Sequence, residues 1–113
     1  MRLETKKYLF DIQRAAALLT EFTAGKTLEE YVRDAMRRAA VERQFEIIGE
    51  ALAQLAKSDP HVAAGISEYR RIIAFRNILI HGYADVDHRL VWDVIQVKLP
   101  VLSRNIDLLL KSQ

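Results

Sequence analysis

From Leu3 to Phe22 the apolar residues Leu3, Tyr8, Leu9, Ile12, Ala15, Ala16, Leu19 and Phe22 recur at intervals of three and four, the period of a helix with one inward face. Ala24-Gly25-Lys26 closes that helix, and Gly25 suits the left-handed cap position. Thr27-Leu28-Glu29-Glu30 reads as a capping box, Thr27 bonding forward and Glu30 reaching back. A short helix from Leu28 to about Arg33 follows, bending near Asp34, which is placed to cap the next helix. The longest helical signal runs from Ala35 to Lys57, with Met36, Ala40, Phe45, Ile47, Ile48, Ala51, Leu52 and Leu55 on its apolar stripe. Gly49 lies inside it, where glycine costs about 1 kcal/mol relative to alanine, and this hints at close approach by a neighbouring backbone.

Ser58-Asp59-Pro60 ends the long helix, because the residue before proline avoids the helical region. His61 to Gly65 reads as a connector of about one helical turn. A further helix is predicted from Glu68 to about Tyr83, broken at Gly82 and followed by Ala84-Asp85-Val86-Asp87. Asp87 is a plausible N-cap for a last helix, His88 to Lys111, whose apolar set is Leu90, Val91, Val94, Ile95, Val97, Leu99, Leu102, Ile106, Leu109 and Leu110. Pro100 inside that pattern removes a backbone bond and should kink the helix around Gln96. No alternating run is long enough for a strand, and there is no internal repeat or low-complexity segment. The expectation is all-α: one domain over residues 1–113, an antiparallel bundle of four main helices with short extra turns.

Composition narrows the class without naming a function. Half of the 113 residues are hydrophobic and 28% are charged, the profile of a soluble protein with one core. No apolar run reaches the ~18 residues that suggest a membrane span, and Met1 to Lys7 lacks the apolar stretch of a secretory signal. The absence of cysteine excludes disulfides and thiolate metal sites and fits a cytoplasmic setting. A net charge of +2 is too weak to announce a nucleic-acid binder. The arginines are nevertheless clustered, Arg33, Arg37, Arg38 and Arg43 in one group and Arg70, Arg71 and Arg76 in another. Most such runs are solvated helix faces.

The candidate chemistry lies in Glu68–Tyr83, EYRRIIAFRNILIHGY. On a regular helix Tyr69, Ile72, Arg76, Leu79 and Tyr83 share one stripe, so a guanidinium sits among apolar groups and either snorkels or awaits a partner. His81 is about 140° around the helix from Arg76, on the side of Asn77, and fraying at Gly82 would let it swing closer. Histidine can take and give protons near neutral pH, and a guanidinium matches phosphate oxygens. Together they suit phosphodiester chemistry that uses the 2′-hydroxyl of RNA as nucleophile and needs no metal or other cofactor. One histidine is thin for two proton transfers; a two-fold dimer would bring two Arg76 and two His81 to one cleft. An arginine followed closely by a histidine is by itself a weak signal, and a lone histidine is more often a capping or core residue. Glu46 and Glu50, four apart on the long helix, could ligate a metal or anchor Arg76, with solvation the plainer reading for Glu46. His61 and His88 are expected to be exposed, and Tyr31, Tyr69 and Trp92 to be packing residues.

Arg76-Asn77-Ile-Leu-Ile-His81-Gly-Tyr83 resembles the Arg-x4-His-x-Tyr signature of the HepT-like toxins, within the wider HEPN domain family. The resemblance extends to Gly25-Lys-Thr-Leu-Glu-Glu-Tyr31, to Glu42-Arg43 with Glu46-Ile-Ile-Gly-Glu-Ala51, and to Val91-Trp92 and Leu99-Pro100. It implies a HEPN-type helical bundle that forms a homodimer, the Arg and His motifs of two chains lining a shared cleft. It also implies a metal-independent ribonuclease, the toxin of a prokaryotic toxin–antitoxin pair, with RNA as substrate. The partner would be a MntA-like minimal nucleotidyltransferase that moves AMP from ATP onto the motif tyrosine. By position, Arg76 and His81 become the catalytic pair with Asn77 supporting, and Tyr83 becomes the modified residue; Glu50 and Arg43 are candidate supports. The rival expectation is a HEPN module that binds nucleotide, RNA or a nucleotidyltransferase without cleaving.

Overall fold

The computed structural model describes residues 1–112, and among them there are helices and turns but no strand. In chain order the helices are α1 (Leu3–Thr23), α2 (Leu28–Arg33), α3 (Ala35–Ser58), α4 (Pro60–Ala63) and α5 (Tyr69–His81). A 3-10 turn, Tyr83–Asp85, then leads to α6 (His88–Asp93), a π-helical stretch Val94–Lys98, and α7 (Leu99–Lys111). Local chemistry sets most of these boundaries. Gly25 takes φ +71° after α1. Thr27 Oγ1 accepts from the Glu30 amide at 3.2 Å while the Thr27 amide donates to Glu30 Oε1 at 2.9 Å, completing the capping box. These bonds hold the Glu30 carboxyl below its ordinary value. The Asp34 carboxylate accepts the Arg37 amide at 3.0 Å and so starts α3.

α3 is the central helix, packed against α1 on one side and α5 on the other, and α1 in turn contacts α7. α1 and α3 run antiparallel, since the start of one meets the end of the other. Thr5 Oγ1, fully buried, donates to Asp59 Oδ2 at 2.9 Å, and the Arg2 guanidinium donates to the Ser58 carbonyl. Leu9, Ile12 and Leu19 of α1 meet Phe45, Ile48, Leu52 and Leu55 of α3, with Leu79, Val91, Ile95, Leu102 and Ile106 closing the core. Burying each such side chain contributes about 1.5–3 kcal/mol. The molecule is only 19 Å across its shortest axis, about two helix layers, so α5 rests on α3 and leaves its outer face bare.

Four expectations are corrected. The helix predicted to begin at Glu68 begins one residue later, and Glu68 itself is left-handed at φ +56°. There it forms salt bridges to Arg71 (3.0 Å) and Lys98 (2.9 Å), against a cost of about 1–2 kcal/mol for a non-glycine residue in that region. Tyr83 is not on the α5 stripe: the helix ends at His81, where the Gly82 amide donates to the Ile78 carbonyl at 2.8 Å, and Tyr83 enters the 3-10 turn. The last helix is divided at Val94–Lys98 by a π-helical widening around Gln96, where Pro100 is expected to disturb it, so that α6 and α7 are separate segments rather than one helix. Met36, Leu3 and Val97, assigned to apolar stripes, are 84%, 84% and 62% exposed. Helical spacing places them near the stripe, but no neighbouring helix reaches over them.

Candidate functional site

Arg76 is fixed by the crossing of α3 and α5. A methyl group on Gly49 would overlap the Arg76 Cβ and stand 2.5 Å from its Cγ, so the bare Cα of Gly49 is what admits the arginine stem. This is the close approach that a glycine inside the long helix foreshadowed. One residue on, Glu50 Oε2 accepts from Arg76 Nη2 at 2.8 Å, and Asn77 Oδ1 accepts from Nη1 at 3.0 Å. Arg76 Nε is buried without a partner among the described residues. Of the two roles open for Glu50, metal ligand or arginine anchor, the structure takes the second. Among the described residues no three His, Asp or Glu side chains converge as a metal cluster.

The arginine opens on a groove of about 380 Å³ between α1, α3 and α5. Its charged groups are paired: Lys7 with Asp11 at 3.4 Å, Arg43 with Glu46 at 3.4 Å, and Arg76 with Glu50. The partners are substantially exposed, so each pair adds at most about 1 kcal/mol to stability. Glu46 is thus engaged with Arg43 rather than simply solvated. Gln54 Nε2 donates to Glu50 Oε1 at 3.2 Å, so both oxygens of that carboxylate are held. Gln54 and Lys7 were not singled out by the sequence; the Glu50–Gln54 spacing of four was the available signal for the first, and none existed for the second.

His81 is the last residue of α5 and is exposed, with no side-chain hydrogen bond to Arg76. The separation along the axis is about 7.5 Å for five residues, with about 140° of rotation. Asn77 and His81 share the outer face of α5, and Arg76 turns toward α3. One chain therefore brings Arg76, Glu50 and Arg43 around one opening, with Asn77 bonded to Arg76 from the outer face, and leaves His81 on that adjoining bare face. Beside that face lies a second groove, about 410 Å³, lined mainly by apolar groups including Phe75, Ile78, Val94 and Val97. Tyr83 is 77% exposed in its turn.

Behind that turn the chain returns to the core. His61 is exposed as expected, but His88 is half-buried, and its Nδ1 is out of reach of solvent and of any partner among the described residues. Burial pushes the Glu42 carboxyl up, while the charges of His88 and Arg38 pull it partly back. Tyr31 is fully buried, its ring centroid 5.5 Å from that of Trp92, and burial together with the Glu42 charge pushes its hydroxyl up. Tyr31, Trp92 and the half-buried Tyr69 are packing residues, as expected. No helix among the described residues is long and apolar enough to cross a membrane.

Comparison with known proteins gives the arrangement a lineage. The family model "Ribonuclease HepT-like" matches residues 12–109. A protein of Thermococcus cleftensis named "Probable ribonuclease HepT" is 33% identical over 98% of this chain and all of its own length. "Putative RNase MJ1380" of Methanocaldococcus jannaschii is 30% identical over 93% of this chain and 95% of its own. "Putative RNase TTE0752" of Caldanaerobacter subterraneus subsp. tengcongensis is 30% identical over 96% of each. No solved structure matches the chain.

Proposed function

The chain belongs to the HepT-like ribonuclease family, and from that membership we propose that it is a metal-independent endoribonuclease in which Arg76 and His81 act on RNA. The observation that carries the reading is the unequal treatment of the two groups. Arg76 is held by Glu50 and Asn77 at the mouth of a groove, and His81 stands unbonded on the neighbouring open face. A fixed cation and a free imidazole are the parts that anion stabilisation and proton transfer require.

In the reaction, His81 takes the proton from a ribose 2′-hydroxyl as its oxygen attacks the adjacent phosphorus. Arg76 stabilises the charge that gathers on the phosphoryl oxygens. The P–O5′ bond then breaks, and a protonated imidazole supplies a proton to the departing 5′-oxygen, leaving a 2′,3′-cyclic phosphate and a 5′-hydroxyl. A single imidazole serves both steps poorly. The bare face of α5, with exposed Ile78 beside His81, suits a second copy of the chain, which would set His81 of the partner subunit across the scissile bond. In this homodimer Asn77 keeps Arg76 in line.

Regulation follows the same geometry. As the toxin of a toxin–antitoxin pair, the protein would be silenced by a MntA-like minimal nucleotidyltransferase acting on Tyr83. The tyrosine oxygen attacks the α-phosphorus of ATP and pyrophosphate leaves, so a phosphodiester anion and a nucleoside sit two residues from His81. The 77% exposure of Tyr83 supports such access. The test is RNA cleavage by purified protein in excess chelator. Wild type cuts, and His81→Ala and Arg76→Ala do not; loss of wild-type activity on chelation would remove the metal-independent reading. RNA binding without cleavage would favour the non-catalytic module, the reading helped by the lack of any bond between Arg76 and His81 within one chain.

A further inference from the structure

Arg76 carries five N–H donors. One on Nη2 goes to Glu50, one on Nη1 goes to Asn77, and that on Nε is buried with no partner among the described residues. One donor on each terminal nitrogen is left, and this edge of the guanidinium is what an anion such as a phosphate can use. Glu50 controls this edge in two ways. Its carboxylate lies 2.8 Å from Nη2 and offsets the charge that would attract an anion, and it fixes the direction in which the remaining donors point. The Glu50 side chain is 51% exposed, so its pair with Arg76 contributes little to holding the fold together. Yet both its oxygens are engaged, one by Arg76 and the other by Gln54 one turn further along α3. A surface carboxylate constrained at both oxygens is better explained by a demand on orientation than by stability.

We propose that Glu50 is a positioning residue that acts through Arg76, trading anion affinity for a fixed guanidinium direction, with Gln54 as its brace. The proposal rests on the ribonuclease reading for its kinetic consequence but not for its binding consequence. Charge and geometry separate by substitution. Glu50→Gln keeps an oxygen acceptor of the same length and removes the charge. Glu50→Asp keeps the charge and draws the carboxylate back by one methylene, out of reach of Nη2.

The experiment measures binding of a non-cleavable 2′-O-methyl oligonucleotide by fluorescence anisotropy, and kcat and KM on the matching RNA, for wild type, both Glu50 variants and Gln54→Ala. Glu50→Gln should bind the oligonucleotide severalfold tighter than wild type, the gap narrowing with salt. Glu50→Asp and Gln54→Ala should bind within about twofold of wild type and lose roughly tenfold or more in kcat, because an ångström of misplacement is expensive in rate. Thermal melts confirm that all three fold. Unchanged or weaker binding by Glu50→Gln would overturn the charge role. Wild-type kcat in both Glu50→Asp and Gln54→Ala would overturn the geometric one. A wild type that binds but never cleaves would instead sink the ribonuclease reading, leaving the binding comparison to judge Glu50 on its own.

Discussion

Replacing Gly49 with alanine forces α3 and α5 apart where Arg76 is seated. The added methyl would overlap the Arg76 Cβ and lie 2.5 Å from Cγ, whereas carbon atoms settle at about 3.5–4.0 Å. The gap must open by about 1 Å or more. The Cβ is carried by the backbone of α5, so no change of arginine rotamer relieves the overlap. Overpacking of this kind costs about 1–3 kcal/mol, and the better helix propensity of alanine returns about 1 kcal/mol. With backbone-anchored atoms colliding, the upper half of the range applies, and the net loss is about 1–2 kcal/mol. For a chain of this size that is a fall in Tm of roughly 4–8 °C. Urea unfolding followed by circular dichroism measures it, and a double-mutant cycle isolates the cause. Arg76→Gly removes the colliding Cβ, so Gly49→Ala added to it should cost little or stabilise, with a coupling above about 1 kcal/mol. A Gly49→Ala protein as stable as wild type, or an additive cycle, would refute the close-approach argument.

Three further outcomes follow from the geometry. Because the Glu68 carboxyl is held below its ordinary 4.5, mainly by the Lys98 hydrogen bond, its stabilising effect is present above that pH and lost as pH falls through its folded value. The Tm gap between wild type and Glu68→Gln should therefore close on acidification; a gap that widens would contradict the assignment. Glu42 is the opposite case: burial raises its folded value, so its favourable contribution exists at low pH and disappears as pH rises. Glu42→Gln should then gain on wild type between pH 4 and pH 7, as read by paired melts. Intact mass after co-expression with a nucleotidyltransferase antitoxin should show AMP adducts on wild type and none at position 83 in Tyr83→Phe.

The sequence was most informative where structure is decided locally. Thr27 with Glu30, Gly25, Asp34 and Asp59-Pro60 act on amides within a few residues, and they mark helix ends where the structure has them. Contacts between distant segments were only half visible. Gly49 signalled that something approaches, but Arg76 as the visitor depends on a helix crossing that no local pattern encodes. The same limit explains Glu68, whose left-handed turn meets Lys98 thirty residues away, and Met36, whose stripe faces no neighbour. Tyr83 was placed on the helix because periodicity alone does not say where α5 stops. The motif was legible as Arg76, Asn77 and His81, with Glu50 as a candidate anchor for Arg76, and the structure turns the guanidinium inward to that anchor and the imidazole outward.

The most direct test of the central claim is the chemistry of the ends left on RNA. A synthetic RNA is incubated with wild type and with His81→Ala in excess chelator, and the fragments are read by mass spectrometry. The account predicts fragments ending in 2′,3′-cyclic phosphate and beginning with 5′-hydroxyl from wild type, and intact RNA from His81→Ala. Fragments bearing 5′-phosphate and 3′-hydroxyl, or the same cutting by His81→Ala, would contradict it.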